Sequence, residues 1–154
     1  MLRTNNCGEL RSKDIKQKVT LSGWVQSYRD HGGVIFVDLR DRWGLTQVVF
    51  DPSHDKNTHK IADTVRREWV IQVEGKVRSR GDLVNKKLKT GEIEVLADTV
   101  IVLNKSETPA IEVDDKKVAG EEARLKYRYL DLRRPTMQKN LLNRHKAMIS
   151  AMNY

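Results

Sequence analysis

The sequence predicts a mainly β protein. Five strands close into a small barrel with one helix between the third and fourth, and a linker and a helical C-terminal segment follow. Three observations carry this. Residues 19–50 hold three runs of alternating apolar and polar side chains, the period of a half-buried strand, separated by short connections containing glycine. Residues 70–77 and 92–103 repeat the alternation. Between the two groups, residues 58–69 switch to a helical period.

Each element follows from its residues. Residues 1–18 are polar and mixed; Cys7-Gly8-Glu9-Leu10 forms a lead-in turn and 11–18 a brief helical or irregular piece. In 19–29, Val19, Leu21, Gly23 and Val25 share one face, and Thr20, Ser22, Trp24, Gln26 and Tyr28 the other. Gly23 inside a strand marks a bend or bulge, as a small barrel requires at its corners. Asp30-His31-Gly32-Gly33 is a connection, because paired glycines adopt positive φ without a steric penalty. In 34–40, Ile35, Val37 and Leu39 point one way and Val34, Phe36 and Asp38 the other. The turn 41–44 makes Arg40 face Leu45 in the next strand, 45–50, so Asp38 faces Gln47 and Phe36 faces Val49. Ile35, Val37, Leu39, Val48 and Phe50 then build the core, and Phe36, Asp38 and Gln47 share the outer face. A bulge at Gly44 would reverse one strand against the other. Asp51-Pro52 ends the strand, and Ile61, Val65 and Trp69, four apart, form a helical face suited to plugging the barrel. A polar loop, 78–90, separates the last two strands. This is the element order of an OB-fold barrel.

The domain reading is 1–104 for the barrel, 105–120 for the linker and 121–154 for the helical segment. The stretch 121–134 is helix-prone and dense in arginine, and Pro135 interrupts it. Beyond it, Leu141, Leu142, His145, Met148, Ile149 and Met152 form an amphipathic stripe with nothing in the sequence to pack against.

Among 154 residues, 29 Lys and Arg outweigh 21 Asp and Glu, for a net charge of +8. That balance favours polyanionic partners, nucleic acid before acidic membrane surfaces, with a merely solvated basic surface as the alternative. The single Cys7 excludes an internal disulfide and fits a reducing compartment. There is no apolar run of membrane-spanning length and no signal-peptide core at the start, so the expected location is the cytoplasm.

Phe36, an outward aromatic on a basic sheet, suits base stacking or a second small core under a loop. Gln47 beside it can donate to and accept from a base edge, or simply face water. Arg29, Arg78 and Arg80 at strand ends suit phosphates or solvated charge. Glu94 repels phosphate but can accept from a base amino group; otherwise it keeps an exposed strand soluble. His31, His54, His59 and His145 lack metal-site spacing, and no Walker-type glycine loop or nucleophile elbow occurs. No metal and no catalytic residue is expected in this chain.

These residues resemble the N-terminal part of bacterial-type aspartyl-tRNA synthetase. The likeness rests on CGELR, GWVQSYRDHGGVIFVDLRDRWGLTQVVF, VEGKVRSR, TGEIEVLA and, most specifically, EEARLKYRYLDLRRP. It implies an anticodon-binding barrel in which Phe36 stacks on the middle anticodon base and Gln47 bonds to it. Arg29, Arg78, Arg80 and Asn85 would lie in the anticodon-loop contact region, and Glu94 would serve the first anticodon base. His31 in a His-Gly-Gly loop resembles the enzymes that charge both the aspartate and the asparagine tRNA; strict forms often carry Leu there. Ser27 and Tyr28 stand where the family often has further arginines. ATP and magnesium are expected for the full-length enzyme, a homodimer, and not for this chain, which stops inside a helix resembling the start of the first class II motif. No aminoacylation is therefore expected from it. A non-specific single-strand-binding OB protein, or an interaction module using its C-terminal helix, are the rival readings.

Overall fold

The computed structural model of the chain describes residues 2–154. It divides into two compact units, Met1–Thr108 and Pro109–Tyr154. The first contains β1 (Lys18–His31), β2 (Val34–Arg40), β3 (Leu45–Phe50), α1 (Lys56–Thr64), β4 (Val70–Ser79) and β5 (Ile93–Asn104). The strands form a closed barrel in the order β1-β2-β3-β5-β4, and β4 returns to pair with β1. All neighbours are antiparallel except β3 and β5.

The β2–β3 register is the one that alternation and turn length require: Arg40 faces Leu45, Asp38 faces Gln47 and Phe36 faces Val49. No bulge interrupts it at Gly44. Ile35, Val37, Leu39, Val48 and Phe50 are buried in one core with Val19, Leu21, Val25, Ile71, Val73, Ile93 and Val95. The β1–β2 hairpin turns on Gly32 and Gly33 at φ 62° and 84°, a conformation that side chains with a Cβ disfavour. At Gly23 a Cβ would stand 2.3 Å from the Arg40 carbonyl oxygen, so only glycine lets β1 and β2 approach this closely.

The structure departs from the sequence reading in four places. First, β1 does not alternate throughout. A bulge between Val25 and Ser27 absorbs Gln26, so Tyr28 sits opposite inward-facing Val37 and packs against the core, while Ser27 and Arg29 turn outward. Second, the lead-in is part of the barrel, because Cys7 and Leu10 are fully buried in its core. Asp41 ties them down: Cys7 N–H donates to its Oδ2 at 2.9 Å, and the N–H groups of Trp43 and Gly44 donate to its Oδ1 at 2.7 and 3.0 Å. Burial, reinforced by the Asp41 charge, pushes the Cys7 thiol far up, so it acts as a small apolar residue and not a nucleophile.

Third, α1 starts earlier and stops sooner than the sequence suggests. Asp55 caps its N-terminus, accepting from Thr58 N–H at 2.5 Å, and Val65 is already extended at φ −69°, ψ 141°. Ala62 and Val65 enter the core and Trp69 packs beside them, but Ile61 is exposed. Fourth, the arginine-rich stretch forms two short helices, α2 (Glu121–Lys126) and α3 (Arg128–Asp131), before α4 (Pro135–Met152). Pro135 opens α4 at a first-turn position, where its missing N–H breaks no bond.

Within the second unit, Asp131 is fully buried and accepts from Arg128 Nη1 at 2.6 Å and Arg134 Nε at 2.8 Å. Arg134 Nη1 also donates to Asp115 Oδ1 at 2.7 Å, and Asp115 Oδ2 accepts from Thr136 N–H at 2.8 Å. Leu141, Leu142, Met148, Ile149 and Met152 are exposed along α4. Among the described residues no helix is long and apolar enough to cross a membrane.

Candidate nucleic-acid interface

One row of outward side chains crosses every strand of the barrel. Ser27 on β1 faces Asp38 on β2, which faces Gln47 on β3. Gln47 reaches Glu94 on β5, and Glu94 faces Arg78 on β4. The next row begins with Arg29 opposite Phe36, which faces Val49. The bulge at Gln26 makes this possible. Strict alternation from Val25 would send Ser27 and Arg29 inward, and the extra residue reverses them.

The row is a continuous hydrogen-bonded chain. Ser27 Oγ donates to Asp38 Oδ2. Arg29 Nη2 donates to Asp38 Oδ1 at 2.9 Å and to Gln47 Oε1 at 3.2 Å. Gln47 Nε2 donates to Glu94 Oε2 at 2.8 Å, and Arg78 Nε donates to Glu94 Oε1 at 2.8 Å. Arg80 Nε stands 4.0 Å from Glu94 Oε2. Two carboxylates and three guanidiniums thus leave a local excess of one positive charge, which suits a polyanion.

Gln47 and Glu94 are only 6% and 8% exposed, so neither is the solvated strand residue that alternation allowed for. A buried carboxylate needs partners, and Glu94 has an amide and an arginine within hydrogen-bond reach. Arg80 has two buried N–H groups, at Nε and Nη1, with no acceptor among the described residues.

Phe36 is half-buried and lies outside the core cluster, with its ring edge-on to His31 at a centroid distance of 6.0 Å and an angle of 65°. His31 ends β1 and is exposed. Asn85 does not join the network. Its Oδ1 accepts from Lys87 N–H at 3.1 Å and its backbone bonds Gly91 and Leu88, so it shapes its own loop. Among the described residues no group of three or more His, Cys, Asp and Glu side chains could hold a metal ion.

The network contains two members that sequence reasoning did not connect, Ser27 and Asp38 as joint anchors of Arg29. The sequence does not mark the bulge by itself, because only the structure shows Tyr28 facing inward. The step from inward Val25 to the next inward side chain, Tyr28, is three residues, one more than an unbroken strand allows.

Comparison with known proteins agrees with this fold. The tRNA_anti-codon family, described as an OB-fold nucleic acid binding domain, matches residues 19–103. An aspartate–tRNA(Asp/Asn) ligase from Desulfatibacillum aliphaticivorans is 56% identical over 94% of this chain and 24% of its own length. An aspartate–tRNA ligase from Listeria welshimeri is 52% identical over 93% of this chain and 24% of its own. Among solved structures, asparaginyl-tRNA synthetase from Pyrococcus horikoshii complexed with asparaginyl-adenylate superposes with a TM-score of 0.83 at 27% identity, over 99% of this chain and 34% of that one. The chain spans about a quarter of the length of the curated relatives it matches. It belongs to the tRNA_anti-codon family of OB-fold nucleic acid binding domains, and its curated relatives are aspartate–tRNA ligases.

Proposed function

We propose that the outer face of β1, β2 and β3 reads the anticodon loop of the aspartate tRNA. In this reading the chain is the N-terminal anticodon-binding module of a longer, cytoplasmic, homodimeric aspartate–tRNA ligase. The observation that carries it is Phe36, an aromatic left out of the core and set beside the buried Gln47–Glu94 pair. Phe36 stacks on the middle anticodon base, and Gln47 uses its remaining N–H and lone pair on that base's edge. Glu94 accepts from the first base, and Arg29, Arg78 and Arg80 with the Asn85 loop supply the donors and positive charge around it. His31, edge-on to Phe36, lies where the asparagine tRNA would also be accepted; the Asp/Asn specificity in the relative's name supports this.

ATP and magnesium belong to the remaining part of such an enzyme. In the arginine-rich stretch, Arg128 and Arg134 are engaged by Asp131 and Asp115. We expect no aspartyl-adenylate from these residues alone, and pyrophosphate exchange by the chain would refute that.

The test is titration with RNA stem-loops carrying the aspartate anticodon, the asparagine anticodon, or an altered middle base. Selective binding of the first two is expected, with the altered loop bound about tenfold or more weakly. Equal binding of all three would instead support a non-specific single-strand binder.

A further inference from the structure

Gln47 sits between two carboxylates, with Asp38 directly across from it on β2 and Glu94 bonded to it from β5. Its amide has one donor end and one acceptor end, so it cannot donate to both neighbours. The NH2 end faces Glu94 at 2.8 Å, which turns Oε1 toward Asp38, acceptor to acceptor. Arg29 resolves the conflict, because its Nη2 donates to Asp38 Oδ1 at 2.9 Å and to Gln47 Oε1 at 3.2 Å. Ser27 Oγ occupies the other oxygen of Asp38.

We infer that Asp38 is a positioning residue: by anchoring Arg29 over Oε1 of Gln47, it holds the acceptor end of that amide while Glu94 holds the donor end, and thereby sets the base edge the amide accepts. Arg29 is long, and its side chain is 43% exposed, so without an anchor it would leave the face for any nearby phosphate. Asp38, 14% exposed and held by Ser27, supplies that anchor. Once Arg29 leaves, Oε1 has lost its donor and the amide is held only through its NH2 end, by Glu94. The inference rests on the anticodon-reading proposal for the base it names, and the orientation of the amide can be observed without RNA.

The sign of the expected effect separates positioning from general support. Asp38 is an anion on an RNA-facing surface, so its removal alone strengthens attraction to phosphate. Asp38→Ala should bind the altered-base stem-loop as well as or better than the parent chain. It should lose about tenfold of the parent's preference for the matched loop, the discrimination one well-held base-edge contact provides. Asp38→Asn retains an acceptor for Arg29 and should keep most of the preference.

The experiment measures the matched-to-altered Kd ratio for the parent chain, Asp38→Ala, Asp38→Asn and Phe36→Ala. The Gln47 side-chain NH2 resonances are followed in the free proteins, with a thermal melt confirming that each is folded. A collapsed ratio and shifted or doubled Gln47 NH2 signals in Asp38→Ala, both restored in Asp38→Asn, support the inference. Three results overturn it: an unchanged ratio in Asp38→Ala, equal weakening toward both loops, or unmoved Gln47 signals. If Phe36→Ala abolishes the parent's preference while Asp38→Ala leaves it intact, only the positioning role fails. If the parent shows no preference, the anticodon reading fails and this inference fails with it.

Discussion

Along β2, inward and outward side chains alternate one by one, yet different physics holds them. Ile35, Val37 and Leu39 are fully buried, and their contribution comes from apolar area and close packing within the barrel core. Their neighbours Phe36, Asp38 and Arg40 each meet a particular partner. Phe36 has the edge of His31, Asp38 has Ser27 and Arg29, and Arg40 Nη2 reaches both oxygens of Glu68 at 2.8 Å. The inward face tolerates exchange of one apolar shape for another of equal volume. The outward face depends on donors and acceptors in fixed order, so a substitution there alters what the barrel binds more than whether it folds.

The largest expected effect tests the inward face. Leu39→Ala should lower unfolding stability by roughly 2–5 kcal/mol, the range for removing a fully buried leucine, as measured by urea titration. A shift much smaller than this would mean that the barrel collapses around the cavity and that the contrast between the faces is overstated. Next is Phe36→Ala, which should weaken RNA stem-loop binding by about 1–3 kcal/mol, the value of one base stacked on an aromatic, while the urea midpoint barely moves. A large stability loss instead would make Phe36 a second core residue.

A smaller effect is expected at the end of the row. Arg78→Gln should weaken binding about equally for matched and altered stem-loops and make the salt dependence shallower by about one in log–log slope. Sequence-dependent losses would instead give Arg78 a part in reading bases through Glu94, whose Oε1 it contacts at 2.8 Å. The smallest effect lies away from both faces. Hydrogen bonds from the Thr58 backbone hold the Asp55 carboxyl below the usual aspartate range. A depressed folded-state pKa gives stability that is complete above the ordinary value near ~3.9 and lost as pH falls through the folded value. Asp55→Ala should therefore lower the thermal midpoint slightly at neutral pH, and the difference should vanish in strong acid. A constant difference at all pH values would show that the side chain acts by packing and not as a charged cap.

Much of this molecule was legible in its residues because alternation is a local property. The β2–β3 register followed from Ile35, Val37 and Leu39 and from the length of the turn 41–44. That register alone set Gln47 beside Asp38 and Phe36 outward. The helix after β3 was legible in kind, but its end was not, since Val65 leaves the helix to enter the core. Cys7 and Leu10, three residues apart in a polar stretch, carried no periodic signal, and Cys7 is anchored by Asp41, 34 residues later.

The sequence by itself determined which side chains of β2 and β3 face inward, because a period of two leaves one choice per strand once a core must form. It also determined a basic barrel with an aromatic on its outer face. Only the tertiary structure decided that Gln47 and Glu94 are buried and bonded to each other, since they lie 47 residues apart and meet across a parallel pairing of β3 and β5. It likewise decided that Arg29 joins them. The bulge at Gln26 exists because β1 bends to pair with both β2 and β4, and closure of the barrel is a property no single strand possesses.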